Sequence, residues 1–333
     1  MASDFPRRTV LSMLGGMMLA PAALARPAVY PEAERELMVP AEGGRLYVRT
    51  NGAAKGEALP LLLIHGGPGG MHSTFLDALE LSDERMVVLY DQLDSGRSDR
   101  PGDPANWTVE RFAREIDAIR TALGIARWHV LGHSWGATVA LDYAARQPSA
   151  LAGLILASPF ISGRSWRADV AARLGELPAA AQDDIRRCAG ATPPPEAVCD
   201  AASEVFYAAF NHRDPIPQAR RTYEAAHGLK LNEKLYTTMN GSSEFSTTGT
   251  LADYDGEPLL ARLDGARTLF VIGQHDETRM ETVAAFARRA GGAELAVIPG
   301  AAHGIFNDRP DETNAVLRGF LRRQDAGAAK AQR

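Results

Sequence analysis

Three residues of this sequence carry the side chains that nucleophilic hydrolysis of an ester or amide requires. One of them, Ser134, lies in the run GHSWG at positions 132–136, which matches the pattern G-x-S-x-G. An apolar run precedes this pattern and a helical pattern follows it, which predicts a strand, a tight turn and a helix with the serine at the bend. Both glycines suit such a bend, because a side chain there would collide with the neighbouring backbone. The alternative is an ordinary turn, since so short a pattern also occurs by chance.

A serine hydroxyl is a poor nucleophile at its own pKa and needs a base to remove its proton. Asp276 and His303 each follow a short apolar run, and with Ser134 they occur in the order serine, acid, histidine. In this hypothesis His303 accepts the serine proton, and Asp276 holds the imidazole in the correct tautomer. Glu277 is the reserve acid. The alternative is that Asp276 and His303 are polar residues that merely end two strands.

A glycine-rich loop, HGGPG at positions 65–69, follows another apolar run. Backbone N–H groups in such a loop can point at a ligand. Stabilising the oxyanion of an acyl-transfer reaction requires two N–H donors, and the residue after the nucleophile usually supplies one of them. We therefore predict that Trp135 and Gly67 form the oxyanion hole, and that His65 braces the loop. The alternative is a plain strand-to-helix turn.

Apolar runs alternate with helical patterns along most of the chain. A hairpin is predicted over residues 37–49, and buried strands over 59–64, 85–90, 128–131, 152–157, 268–272 and 295–298. Helices are predicted over 108–124, directly after Ser134, over 281–290 and over 311–323. This alternation predicts an α/β fold with a mostly parallel central sheet and helices on both faces.

The alternation stops between residues 162 and 263, where the chain is rich in Ala, Arg and Glu and interrupted by prolines. This segment predicts several short helices and no strand, as in an all-helical cap inserted into the fold. The core is then expected over residues 35–161 and 264–323. Residues 324–333 are rich in Ala, Gln and Lys and are expected to form a disordered tail.

Composition excludes some classes of function. The chain has 333 residues, of which 45% are hydrophobic, and a net charge of −5. No Lys- or Arg-rich run appears, so nucleic acid is not an expected partner. We expect no metal or cofactor either, since no metal cluster, phosphate loop or flavin motif is found.

The first 25 residues have the pattern of an export signal. Arg7 and Arg8 precede an apolar stretch over residues 10–24, and Ala23–Leu24–Ala25 resembles a cleavage site. The paired arginines favour a twin-arginine signal, and the alternative is an ordinary secretory signal. Either signal predicts a periplasmic or secreted protein without stable membrane insertion. There Cys188 and Cys199 could pair, whereas in a reducing cytosol they would be buried thiols.

Several motifs together resemble one enzyme family. These are HGGPG at 65–69, Asp91–Gln92 followed by SGRS at 95–98, and G-x-S-W-G at the elbow. They are similar to the proline iminopeptidase family of α/β-hydrolases, and the resemblance extends from about residue 35 to 322. The run MNGSSEF at 239–245 resembles the subgroup typified by the tricorn-interacting aminopeptidases. Asp94 and His133 depart from the usual family pattern.

The resemblance implies an α/β-hydrolase fold and hydrolysis of the amide bond after an N-terminal amino acid, often proline. The substrate would be a small peptide or amino-acid amide with a free amine. In this family a cap glutamate holds that amine, which corresponds to Glu244, and a second cap carboxylate assists. Glu204 is our candidate for the second one. The alternatives are a carboxylesterase of the same fold and a non-catalytic protein that binds a small molecule.

Overall fold

The computed structural model describes residues 29–330, except for positions 54 and 191. The predicted export signal, residues 1–25, lies outside the described residues. Within residues 29–330 and apart from those two gaps, no helix is long and apolar enough to cross a membrane.

Ten strands occur in the described residues. In chain order they are β1 (Arg35–Ala41), β2 (Gly44–Asn51), β3 (Leu61–Ile64), β4 (Val87–Tyr90), β5 (Trp128–His133), β6 (Leu151–Ala157), β7 (Gly241–Ser243), β8 (Ser246–Thr247), β9 (Thr268–Gly273) and β10 (Glu294–Ile298). Eight of them form the central sheet, in the order β1-β2-β4-β3-β5-β6-β9-β10. The six strands β4, β3, β5, β6, β9 and β10 are parallel to their neighbours. Strands β1 and β2 form the predicted hairpin, and β2 pairs antiparallel with β4. The predicted mostly parallel sheet is therefore confirmed.

The central strands are continuous apolar runs because both faces of the sheet are covered. In β3 every residue is buried, and alternate side chains point to opposite faces. Leu62 and Ile64 join one hydrophobic core, and Leu61 and Leu63 join the other. The two cores thus fix the strand register, because a slip of one residue would exchange the two sets.

Ten α-helices in the described residues flank the sheet or form the inserted segment. They are α1 (Val109–Ala122), α2 (Trp135–Ala145), α3 (Gly163–Glu176), α4 (Ala179–Cys188), α5 (Glu196–Phe210), α6 (Gln218–Ala226), α7 (Glu233–Met239), α8 (Met280–Arg289), α9 (Ile305–Asp308) and α10 (Pro310–Lys330). Helix α1 begins as predicted, because the Thr108 hydroxyl accepts a hydrogen bond from the Arg111 N–H. Helices α1 and α2 pack on one face of the sheet, and α10 packs on the other.

The prediction of a disordered tail over residues 324–333 is wrong for the part that the structure describes. Helix α10 continues to Lys330. Asp325 is buried and accepts hydrogen bonds from the ring of His129 (2.8 Å) and from Arg85 Nη2 (3.1 Å). The composition of the tail did not reveal these partners, because they lie far away in the sequence.

The segment between β6 and β9 contains helices α3 to α7 and forms a cap, but it is not all-helical. Strands β7 and β8 form a two-stranded hairpin, and Glu244 lies in its turn. These strands have three and two residues, too few to show a period-two pattern in the sequence. A disulfide between Cys188 and Cys199 links the end of α4 to α5.

Candidate active site

Ser134 occupies the sharp bend between β5 and α2. Its φ of 57° and ψ of −123° lie in a region that side-chain-bearing residues rarely adopt. A Cβ on Gly132 would approach the Gly136 carbonyl oxygen to 2.1 Å, and a Cβ on Gly136 would approach the Ile64 oxygen to 2.1 Å. Both glycines are therefore required by close backbone packing, and the predicted strand, tight turn and helix are confirmed.

Asp276 and His303 are brought together by the loops after β9 and β10. The His303 Nδ1–H donates a hydrogen bond of 2.9 Å to Asp276 Oδ1. This bond fixes the tautomer and leaves Nε2 to accept a proton. Burial opposes ionisation of Asp276, but the charge of His303 and several hydrogen bonds lower its pKa below the usual value. The carboxylate is thus charged and able to stabilise an imidazolium.

The loop that carries His303 is tied to the elbow. The Nε2–H of His133 donates to the His303 carbonyl oxygen at 2.9 Å, and the Ser158 hydroxyl donates to the same oxygen at 3.1 Å. Burial and the nearby charge of His303 lower the pKa of His133 to about 3. His133 is consequently a neutral support for the loop.

The glycine-rich loop after β3 lies against the start of α2. Gly67 has a φ of 112°. Like Ser134, it borders a cavity between the sheet and the cap. Trp135 is the first residue of α2, where a backbone N–H has no partner within the helix. The predicted bracing by His65 is present, since its Nε2 accepts a hydrogen bond from the Gln92 backbone N–H. The Gln92 side-chain amide also donates to the His65 carbonyl oxygen and accepts a hydrogen bond from the Trp135 indole N–H.

A cavity of about 680 Å³ lies between the sheet and the cap. Its walls include residues from both parts: Gly67, Ser134 and His303 from the core, and Tyr207, Tyr236 and Glu244 from the cap. The structure therefore places the predicted nucleophile, the predicted base and the predicted amine ligand around one space.

Glu244 presents its carboxylate to this cavity from the turn of the cap hairpin. The Tyr236 side chain hydrogen-bonds to the carboxylate, and the Trp166 indole N–H donates to the Glu244 carbonyl oxygen at 2.9 Å. Burial raises the pKa of Glu244, and the charge of His303 opposes this effect. The site thus holds a desolvated carboxylate that a ligand cation would stabilise.

The second cap carboxylate proposed from the sequence is not in the cavity. Glu204 lies on α5 with its side chain 66% exposed, and it pairs with His212 at 3.5 Å. The prediction for Glu204 is wrong because the buried face of α5 carries Ala202, Phe206 and Phe210. This spacing of four residues directs position 204 away from the core.

Glu277 has the environment that was expected for Glu204. It is fully buried, Asn211 donates a hydrogen bond to its Oε1, and its Oε2 has no partner among the described residues. Burial and the charge of Glu244 raise the pKa of Glu277 well above its usual value. The sequence contained one indication of this role, which is the position of Glu277 directly after Asp276. The loop that carries the catalytic acid also carries Glu277 toward the same site.

The carboxylates act together on His303. Burial disfavours the imidazolium, but the charges of Asp276 and Glu277, followed by that of Glu244, raise the pKa of His303 to about 10. These charges therefore favour the imidazolium form of His303 while no other cation lies in the cavity. A bound ammonium would offset the charges of Glu244 and Glu277 and lower this pKa.

The fold is that of a known class of hydrolases. The chain belongs to the α/β-hydrolase fold family, whose model matches residues 60–310. It is 34% identical over 268 residues to the proline iminopeptidase of Heyndrickxia coagulans. The aligned region covers 80% of this chain and 91% of that protein. The crystal structure of the proline iminopeptidase of Mycobacterium smegmatis has 32% identity and a TM-score of 0.80, covering 88% of this chain and 100% of that one. The resemblance inferred from the motifs is confirmed by these matches.

Proposed function

We propose that this protein is a serine aminopeptidase of the proline iminopeptidase type, which hydrolyses the amide bond after an N-terminal amino acid. The observation that carries the proposal is the pair of carboxylates beside Ser134 and His303, of which Glu277 is buried and Glu244 is half-buried. The unpaired Oε2 of Glu277 is a costly buried acceptor unless a cationic donor reaches it. A substrate α-ammonium supplies that donor.

The first half of the reaction forms an acyl-enzyme. The ammonium binds between Glu244 and Glu277, which places the adjacent carbonyl carbon near Ser134. His303 Nε2 takes the proton as Ser134 Oγ bonds to that carbon, and the resulting oxyanion accepts hydrogen bonds from the N–H groups of Gly67 and Trp135. The C–N bond then breaks, and His303 passes the proton to the leaving amine.

The second half releases the amino acid. Water takes the place of the leaving amine, and His303 removes one of its protons as the oxygen attacks the acyl carbon. When the ester bond breaks, His303 returns a proton to Ser134 Oγ, so the enzyme is restored. The products are the free N-terminal residue and the shortened peptide or amine.

A substrate panel tests this proposal. We expect turnover of aminoacyl arylamides and dipeptides with a free amine, and none of the same compounds after N-acetylation. Ser134→Ala should lose nearly all activity and all labelling by a fluorophosphonate, with on the order of 10³-fold catalysis over water left from binding and the oxyanion hole. Wild-type rates in Ser134→Ala would contradict the assignment.

A carboxylesterase is the second candidate, since the same serine, base and oxyanion donors would act on an ester. The two functions differ in their need for an amine. An esterase should hydrolyse N-acetylated and amine-free esters at least as well as aminoacyl arylamides, and the pair formed by Glu244 and Glu277 favours the opposite order.

We also propose that the protein is exported to the periplasm or secreted. The twin-arginine pattern supports export, and so does the bridge between Cys188 and Cys199, because structural disulfides persist mainly in oxidising compartments.

A further inference from the structure

The cavity contains an arginine that the proposed reaction does not use. Arg220 lies on the cap helix α6 and borders the cavity together with Thr74 and Ser134. Its side chain is only 14% exposed. A guanidinium held so close to a reaction site has a specific ligand or a structural partner, because burying a cation without either is costly.

One partner is present, and it occupies only part of the guanidinium. Nε donates to Glu224 Oε1 at 2.8 Å, and Nη2 lies 3.4 Å from the Thr74 hydroxyl. Nη1 makes no hydrogen bond to any residue that the structure describes. An arginine has five N–H donors in a planar fork, so one edge remains available to a second carboxylate.

Arg220 lines the same cavity as Ser134 and His303. It is one of the charges that act on His133, the residue directly before Ser134. Glu244 and Glu277 hold negative charge at the other pole of the site. Glu233 also borders the cavity, but its side chain is exposed to solvent and therefore screened. The cavity is thus negative where the substrate amine would bind and positive at Arg220.

A free dipeptide has a matching distribution of charge. Its ammonium lies on the acyl side of the scissile bond, and its carboxylate lies a few bonds beyond the leaving nitrogen. We propose that Arg220 binds the carboxylate of the leaving amino acid, so that the protein prefers free dipeptides to amidated or longer peptides. This inference rests on the proposed aminopeptidase function and adds the identity of the leaving group.

The competing explanation is that Arg220 only fastens the cap. Glu224 also accepts a hydrogen bond from the Ser73 hydroxyl at 2.7 Å, so the Arg220–Glu224 pair joins α6 to the core. A fastening role affects all substrates alike. Binding of a carboxylate affects only substrates that possess one.

The experiment compares kcat/KM for alanyl-alanine, its C-terminal amide and alanine 4-nitroanilide. In the wild type we expect the free dipeptide to exceed the dipeptide amide by about tenfold or more, as for a hydrogen bond to a charged group. Arg220→Gln should bring this ratio close to one, and Arg220→Lys should retain part of it. The wild-type ratio should also fall with added salt.

Two further variants separate binding from fastening. Arg221→Gln removes the same charge from the next position of α6, where the side chain is exposed and hydrogen-bonds to Gln218, and should leave the ratio unchanged. Glu224→Gln removes the ion pair but keeps Arg220, and should keep or increase the ratio. If Arg220→Gln does not fold, the ratio measured in Glu224→Gln still tests the inference.

Three outcomes would overturn the inference: a wild-type ratio near one, an equal loss on both dipeptides in Arg220→Gln, or a ratio near one in Glu224→Gln. Alanine 4-nitroanilide, which has no carboxylate, distinguishes these results from failure of the proposed function. If the wild type does not hydrolyse it, the aminopeptidase proposal fails and the inference fails with it.

Discussion

At the scale of single residues, the proposed function assigns recognition of the substrate amine to Glu244. An α-ammonium lies only a few bonds from its own carbonyl carbon, so a carboxylate held beside Ser134 places that carbon for attack. In a partly desolvated pocket, loss of one partner of such a pair costs about 2–5 kcal/mol. Glu244→Gln should therefore reduce kcat/KM for alanine 4-nitroanilide at least tenfold, and should affect a small neutral ester far less.

The matched control is Glu204→Gln, because Glu204 is an exposed cap carboxylate outside the cavity. It should behave like the wild type on both substrates. Equal losses on the arylamide and the ester in Glu244→Gln would mean that Glu244 supports the fold rather than amine binding.

The charge of Glu277 should also appear in the pH dependence. A neutral ester has no amine to titrate, and its kcat/KM reports the free enzyme. Because the carboxylates raise the pKa of His303 to about 10, we expect the rate to rise with pH into the alkaline range. Glu277→Gln removes the negative charge that Glu277 carries once it ionises, which favours the neutral imidazole and should move the rise to lower pH by about one pH unit or more.

Measurement of both pH–rate profiles, corrected for background hydrolysis, tests this prediction. An amine substrate gives a second comparison. Its ammonium offsets the carboxylates in the bound complex, so the rise in kcat should lie at lower pH than the rise in kcat/KM for the ester. Identical profiles in the wild type and Glu277→Gln would show that Glu277 does not act on His303.

At the scale of elements, the end of α10 is a structural anchor. Asp325 accepts a hydrogen bond from the backbone N–H of Leu59 at 3.1 Å, in addition to its contacts with His129 and Arg85. Arg85 keeps a second ion pair, with Glu84 at 3.1 Å, so the loss of Asp325 falls mainly on the donors of Leu59 and His129. A buried donor that loses its acceptor costs about 1–3 kcal/mol. Asp325→Ala should lower the free energy of unfolding by at least about this amount.

Chemical denaturation measures this effect, and Arg323→Gln is the control. Arg323 lies two residues earlier on the same helix and pairs with Glu294 at an exposed site, with its side chain 57% accessible. Its substitution should change the free energy of unfolding by less than about 1 kcal/mol. A comparable effect of the two variants would contradict an anchoring role for Asp325.

The cap hairpin β7–β8 is the element that orients Glu244. Gly241 begins it with a φ of 136°, and a Cβ there would lie 1.9 Å from the Ser246 carbonyl oxygen. The Asn240 side-chain amide donates to the Ser243 carbonyl oxygen at 3.0 Å, directly before Glu244. Both residues belong to the family-like run at 239–245, so their shared purpose is the shape of the turn that carries the carboxylate.

At the scale of the whole molecule, the export proposal predicts the form in which the protein accumulates. Mass spectrometry of periplasmic material should find a mature chain that begins at Arg26 and has no free thiol. Replacing Arg7 and Arg8 with Lys should block export if the twin-arginine route is used. Unchanged export would indicate the general secretory route, and a chain that retains residues 1–25 would contradict export by cleavage.

Local patterns in the sequence were sufficient for much of the molecule. Apolar runs identified the buried strands, because a strand covered on both faces needs no polar positions. The G-x-S-x-G pattern located the bend at Ser134, since the close approach of backbone at Gly132 and Gly136 excludes any side chain. The chain order of Ser134, Asp276 and His303 predicted a hydrolase for a similar reason, because each follows a strand end and parallel strands end at the same edge of the sheet.

Tertiary structure decided the features that depend on residues distant in sequence. It placed Glu277 beside Glu244 and left Glu204 in solvent, because α5 buries the face that carries Ala202, Phe206 and Phe210 and not the face that carries Glu204. It also ordered the end of α10 through Asp325, whose partners Arg85 and His129 are separated from it by 240 and 196 positions. A pairing of charges in space leaves no local trace in the sequence, since each partner is by itself an ordinary polar residue.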